Sequence, residues 1–211
     1  MRRAWKQSVI AVAVVLEALA PRSALAFHAG KTFDAAPGAG GGGGLFYTGA
    51  PAERGFTCAA CHVNAPGKIR VSLSDATGTL FASLRYTPGT TYPLTATLKN
   101  DPTTIDHYDS IAVSLVDDAG NPVGTIGGFA PEDFYQSSNG TIASAGTTPN
   151  ATSWTFSWTA PPNAVGPVHL HVAAVAGNGA GTPGLTLTDP FGDDVFAGTL
   201  DLDPDGRTSS R

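Results

Sequence analysis

The two cysteines of this 211-residue chain stand three positions apart, and a histidine follows the second at once: Cys58, Cys61 and His62, within RGFTCAACHVNAPG over residues 54–67. Two thiols and an imidazole at this spacing read as a c-type haem attachment site. The thiols add across the two vinyl groups of a porphyrin as thioethers. The adjacent imidazole is then held against the ring and ligates the iron. One covalent haem c is the expectation, with Cys58 and Cys61 as attachment points and His62 as an axial ligand. Three other readings use the same residues. A local disulfide suits an oxidising compartment. A thioredoxin-like redox pair wants a βαβ context, and no such context is present. A zinc site needs at least one more ligand, and the other histidines are distant in sequence.

The far side of such an iron is the next question. Many small cytochromes use Met there, but the single methionine of the chain is the initiator Met1. The remaining side-chain donors are His28, His107, His169 and His171. His169 and His171 alternate on one strand face, roughly 7 Å apart. They are the candidates for a second axial ligand or for a separate metal ion, against the plainer reading of two solvated histidines. An open, five-coordinate iron is the alternative. DLDPDG, residues 201–206, sets Asp201, Asp203 and Asp205 in the alternation of the first half of a calcium loop. The sequence lacks the bidentate Glu that closes such a loop, so an acidic tail is the competing reading.

The elements that must position these residues are strands. KIRVSL puts Ile69, Val71 and Leu73 on one face, and YPLTATL does the same with Leu94, Ala96 and Leu98. SIAVSLVDDAGNPVG is a strand running into an Asp/Gly/Asn/Pro turn. SWTFSW opposes Trp154, Phe156 and Trp158 to Ser153, Thr155 and Ser157, and PVHLHVAAVAG aligns Val168, Leu170 and Val172. GLTLT and VFAGTLDL complete the series. About seven period-two strands with Gly/Pro turns predict an all-β fold, an immunoglobulin-like sandwich over residues 68–202, with a polar tail over 203–211. Residues 27–67 hold the attachment motif. Their glycine run, GAGGGGG, predicts a flexible, poorly ordered lead.

MRRAWK followed by SVIAVAVVL and a small-residue ALA at 24–26 is the pattern of a signal peptide cleaved after Ala26. The apolar stretch is short for a membrane span, so no stable span is expected after cleavage. Cleavage leaves eight basic and 16 acidic residues, a net charge of −8. That charge disfavours nucleic acid and anionic membranes and favours a redox partner with a basic face. Location is expected to be periplasmic or extracellular. Oligomeric state leaves no signal in the sequence.

TGAPAERGFTCAACH resembles the Thr-Gly-Ala-Pro lead and Cys-x-x-Cys-His of exported bacterial proteins that carry a reelin-type (Reeler) sandwich. YTPGTTYPLTATL, VSLVDDAGNPVGT and WTFSWTAPPNAVGPVHLHVAAVAGNGAG are similar to that sandwich, so the resemblance spans residues 47–202. It implies an immunoglobulin-like fold behind a haem-bearing N-terminal segment. It implies little about role, because one fold hosts many functions. Several relatives carry a C-terminal sorting anchor, and the polar DLDPDGRTSSR leads us to expect none here. The chain also has His169 and His171 where Thr and aromatic residues are usual. Three functions are compatible. The first is one-electron transfer by an exported monohaem protein without enzymatic activity, since no catalytic constellation or nucleophile elbow accompanies the motif. The second is a haem sensor with an open iron site, and the third is a haem-free recognition or adhesion sandwich.

Overall fold

A computed structural model describes residues 33, 36, 42–64, 67–101, 107–137, 140–177 and 191–205. The expected signal peptide, His28, GLTLT, Gly206 and the end of the acidic tail lie outside the described residues. In chain order the strands are β1 (Val63–Asn64), β2 (Arg70–Asp75), β3 (Arg85–Tyr86), β4 (Thr91–Lys99), β5 (Ser110–Val116) and β6 (Thr125–Ala130). There follow β7 (Phe134–Gln136), β8 (Ile142–Ser144), β9 (Ser153–Thr159), β10 (Val168–Ala176) and β11 (Phe191–Pro204). A single helical turn, α1 (Leu80–Ser83), lies between β2 and β3.

Two sheets form a sandwich. The smaller has the order β2-β4-β9-β6, and the larger runs β1-β11-β10-β5-β8-β7, with β3 also pairing along β11. The pairings of β10 with β11 and of β5 with β10 are antiparallel and continuous, and they fix the larger sheet. The alternation read from the sequence fills the space between the sheets. Trp154, Phe156 and Trp158 are buried from the small sheet, and Val168, Leu170 and Val172 from the large one. Leu94, Ala96, Leu98 and Ile69 join the same core, with Val71 and Leu73 packed at its margin. Two buried indoles require acceptors. Trp158 Nε1 donates to the Val123 carbonyl at 2.9 Å, and Trp154 Nε1 donates to Glu132 at 3.1 Å. The Glu132 carboxylate also accepts the Thr147 and Thr148 amides, the latter at 3.1 Å, so this buried acid holds the loop before β9. At Gly124, with φ +74°, an added Cβ would lie 2.3 Å from the Thr159 carbonyl oxygen and 2.5 Å from Trp158 Nε1. The turn and the indole therefore demand glycine at this position.

The large sheet departs from simple alternation. β5 is buried on both faces, as are the last residues of β10. The cover on the outer face is the N-terminal lead. Phe46 is buried against Ala112 and Ala143, and Phe33 stacks on Phe46 with ring centroids 4.8 Å apart. The lead over 42–57 is therefore not the poorly ordered arm that its glycines suggest. Thr48 and Thr57 form an antiparallel bridge, and the Gly49 amide donates to the Phe56 carbonyl at 2.8 Å. Glu53, fully buried, accepts the amides of Phe46 and Tyr47, the second at 3.0 Å.

The end of the chain also differs from expectation. Asp201 and Asp203 belong to β11, which continues past residue 202 to Pro204, and they flank the buried Leu202. Asp201 binds His169, and Asp205 accepts the Thr87 hydroxyl at 2.6 Å. Strand backbone spreads these carboxylates along a ladder and does not wrap them into a calcium loop.

The main core draws on residues 69–202 alone, and the lead forms a separate small cluster. A chain beginning at Gly67 is expected to fold, with a β-type circular dichroism spectrum and a cooperative melt at a lower temperature than the full chain. A truncated chain that stays unfolded would make the lead part of the core.

Candidate haem-attachment site

The motif forms a tight turn. Cys58–Ala60 is a 3-10 turn, and the Cys58 carbonyl accepts the amides of Cys61 at 3.2 Å and His62 at 3.0 Å. Positions i, i+3 and i+4 of a helical turn share one side. Cys58 and Cys61 share a side of the turn, and Cys58, Cys61 and His62 all line one cleft. After the turn, β1 adds to the edge of the large sheet in parallel with β11, with Val63 opposite Phe191. Two consecutive aspartates of β11 fix this junction. Asp193 binds His62 Nδ1 at 2.7 Å. Asp194 accepts the amides of Lys68 at 2.7 Å and Ile69 at 3.2 Å.

His62 Nε2 makes no hydrogen bond to the described residues. With Nδ1–H donated to a carboxylate, the lone pair rests on Nε2, which is the ligating form of the ring. Behind the motif lies an open cleft. One wall is Phe33, Phe46 and Tyr47, together with Cys58, Cys61 and His62. The other is the outer face of the large sheet: Ser110, Ile111 and Ala112 from β5, Ala143–Gly146 from β8 and the turn after it, and Val175 from β10. Phe46 of the first wall packs on Ala112 and Ala143 of the second, and the lining is mostly apolar. The donor set at its edge, two thiols and one imidazole, is the one a covalent haem would use.

Both thiols are free. Burial pushes the Cys58 thiol up to about 12 and raises Cys61 as well. Reactive redox cysteines are depressed instead, so these two lack the electrostatics of a thioredoxin-like pair. Tyr47 is also raised, first by burial and then by the nearby Cys61, Glu53 and Cys58. Of the aromatic residues near the motif, Phe46 and Tyr47 line the cleft, while Phe56 is 47% exposed and does not.

The structure does not bring His169 or His171 to this cleft. Neither lines it: both sit on the outer face of β10, with His171 opposite Ser114, two positions from the lining Ala112, and His169 two positions further along. His169 is also fully engaged, with Nδ1 on Asp201 at 2.7 Å and Nε2 on Asp118 at 2.8 Å. His171 Nδ1 meets the Thr199 hydroxyl at 3.0 Å. Both ring nitrogens of His169 are thus engaged by carboxylates, and His171 pairs with Thr199 away from the cleft lining. His107 is buried just before β5 in a separate cluster with Asp101 and Asp109. Asp193, Asp194 and Glu53 were not legible as site residues. The one available signal was the charged pair Asp193-Asp194 interrupting an otherwise strand-like FGDDVFAGTL.

No family model matches the chain, and no curated protein matches it. Among solved structures it is similar to the Reelin-N domain of F-spondin, at 18% identity and a TM-score of 0.41, covering 68% of this chain and 93% of that one. A human F-spondin reeler domain fragment matches at 16% identity and a TM-score of 0.39, covering 62% of this chain and 90% of the other. A cohesin module from a Clostridium perfringens family 33 glycoside hydrolase matches at 8% identity and a TM-score of 0.38, covering 67% of this chain and all of that one.

Two predictions arise here. Replacing Glu53 by Ala strips the buried Phe46 and Tyr47 amides of their acceptor, at about 1–3 kcal/mol. Amide exchange over residues 46–57 should accelerate while the sandwich core stays protected. Unchanged exchange would contradict the role given to Glu53. The second concerns His169, which is raised above its ordinary value of 6.5 by its bonds to Asp201 and then Asp118. A raised folded-state value means stabilisation that is complete below the unfolded value and lost as pH rises through the folded one. His169→Ala should therefore be less stable than the parent at about pH 5.5 and equal to it at about pH 9. A deficit of the same size at both pH values would contradict this.

Proposed function

We propose that the chain is an exported monohaem c-type electron carrier, with haem held covalently by Cys58 and Cys61 and ligated by His62. The observation that carries the reading is the His62–Asp193 pair at the mouth of the cleft. It fixes the tautomer and orientation of the ring and leaves Nε2 for a metal. A bound haem would supply a one-electron iron couple. The chain's own contributions are distinct. The Cys58–His62 turn presents two thiols and one imidazole to the same side. Phe46, packed on Ala112 and Ala143, borders the cleft with an apolar surface. Asp193 orients the imidazole that would hold the iron. Exposed carboxylates such as Asp118 and Asp201, 76% and 71% exposed, favour a basic-faced redox partner. Among the described residues no helix is long and apolar enough to cross a membrane. Export itself rests on the N-terminal leader pattern.

A second reading, a ligand-binding haem protein, is favoured by the cleft lining. Apart from the motif, its side-chain donors are the hydroxyls of Tyr47, Ser110 and Ser144, with neither Met nor a second His. An iron ligated on one side only would bind a small diatomic ligand.

The test is the mature chain made with a cytochrome maturation system. Its denatured mass should exceed that of the polypeptide by one haem, and changing Cys58 and Cys61 to Ser should abolish the increment. A mass two hydrogens below the polypeptide would indicate a disulfide and overturn the reading. On the haem-loaded protein, a carbon monoxide shift of the reduced spectrum selects the ligand-binding reading, and no shift selects the carrier.

A further inference from the structure

We propose that Asp101, His107 and Asp109 form a binding site for one first-row divalent cation, Zn2+ or a close relative, that ties the two sheets together at the end of the sandwich beside the cleft. This inference is independent of the haem reading. Asp101 follows β4 of the small sheet, and His107 and Asp109 lead into β5 of the large one. The three residues each bring a ligand atom within 4.8 Å of the others. His107 is 6% exposed and Asp109 fully buried.

The contacts are unequal. His107 Nδ1 binds Asp109 Oδ1 at 2.7 Å, and the same oxygen accepts the Gly177 amide at 3.0 Å. On the other side of the ring, Nε2 lies 3.5 Å from Asp101 Oδ2. The first contact is a strong hydrogen bond, and the second is too long for a good one. It matches instead the edge of about 3.4 Å between two ligands of a tetrahedral ion with bonds of about 2.1 Å. The arrangement is thus a carboxylate–histidine–metal relay: Asp109 holds Nδ1–H and turns the Nε2 lone pair toward an ion shared with Asp101, and water completes the coordination.

A second observation points the same way. Asp109 Oδ2 is buried without a hydrogen-bond partner. Two carboxylates therefore flank one imidazole, and Asp109 is fully buried. A buried carboxylate wants a countercharge. One imidazole with carboxylate oxygens suits a transition cation rather than calcium, which takes oxygen ligands throughout. Asp109 precedes the cleft residue Ser110, and Gly177 follows Val175 by two positions, so the ion would stiffen one rim of the cleft.

The test uses the mature chain with its haem, or with both thiols alkylated where it carries none, so that sulfur cannot bind the probe. After removal of metals by a chelator, Zn2+ titrated by calorimetry should bind at one equivalent. His107→Asn should weaken binding by at least about 100-fold, beyond the 10–100-fold loss typical of an outer partner, and Asp109→Asn should fall within that window. His169→Ala should bind as the parent does. Should His107→Asn fail to fold, Asp101→Asn replaces it, because Asp101 is at the edge of the cluster and its loss removes a ligand without emptying the interior. No binding by the parent, parent-like binding by the ligand variant, or loss in His169→Ala would each overturn the site.

Discussion

The hydrogen bond from His62 Nδ1 to Asp193 joins residues 131 positions apart, and the architecture of the cleft depends on it. It anchors the attachment turn to β11, an edge partner of the large sheet, at the point where β1 pairs with that strand. Asp194 secures the next step of the chain by accepting two successive amides, and β2 begins immediately after. One acidic dipeptide therefore sets both the orientation of the imidazole and the route by which the chain passes from motif to sandwich. Without Asp193 the ring would be free to choose either tautomer, and the turn would be held to the sheet mainly by the short β1 ladder.

The constraint on the opposite wall is steric. A sheet face normally left to solvent is here covered by the lead, and cover at close range requires small side chains. Ala112, Ala143, Ala145 and Gly146 provide them. The same strand carries large residues inward, as in Val113 beneath Ala112, so β5 serves the core with one face and the cleft with the other. Beyond Ala173 toward the start of β10 the outer face becomes polar, with His171 and His169 in a network with Thr199, Asp201 and Asp118. The change from alanine to histidine along one strand marks where the cover ends.

The strands and the core were legible because a half-buried strand writes its two faces into the sequence at period two. Trp154, Phe156, Trp158 and the Val168, Leu170, Val172 series fall where that pattern puts them. The grouping of Cys58, Cys61 and His62 was legible because the three are close in sequence, and one turn brings them to one cleft. The order of the lead was not, because it depends on contacts that no local pattern encodes: a buried Glu53 and the stacking of Phe33 on Phe46. Its glycines mislead for a physical reason. Gly43, Gly44, Gly49 and Gly55 all have positive φ, so they serve specific turns rather than disorder. His169 and His171 were correctly placed on one strand face, but strand geometry alone gives no position along the sheet relative to the motif. Asp201, Asp203 and Asp205 imitate a calcium loop only as long as the backbone is unknown.

In the proposed haem protein, Asp193 would govern the imidazole that ligates the iron. The measurement that tests it most directly is the reduction potential of the haem-loaded protein compared with that of Asp193→Asn, with covalent haem content verified in both. A carboxylate partner raises the basicity of the ring and favours ferric iron, so the variant should keep its haem and show a higher potential. Identical potentials in two fully loaded proteins would mean that the His62–Asp193 pair does not act on the iron, and would contradict the account.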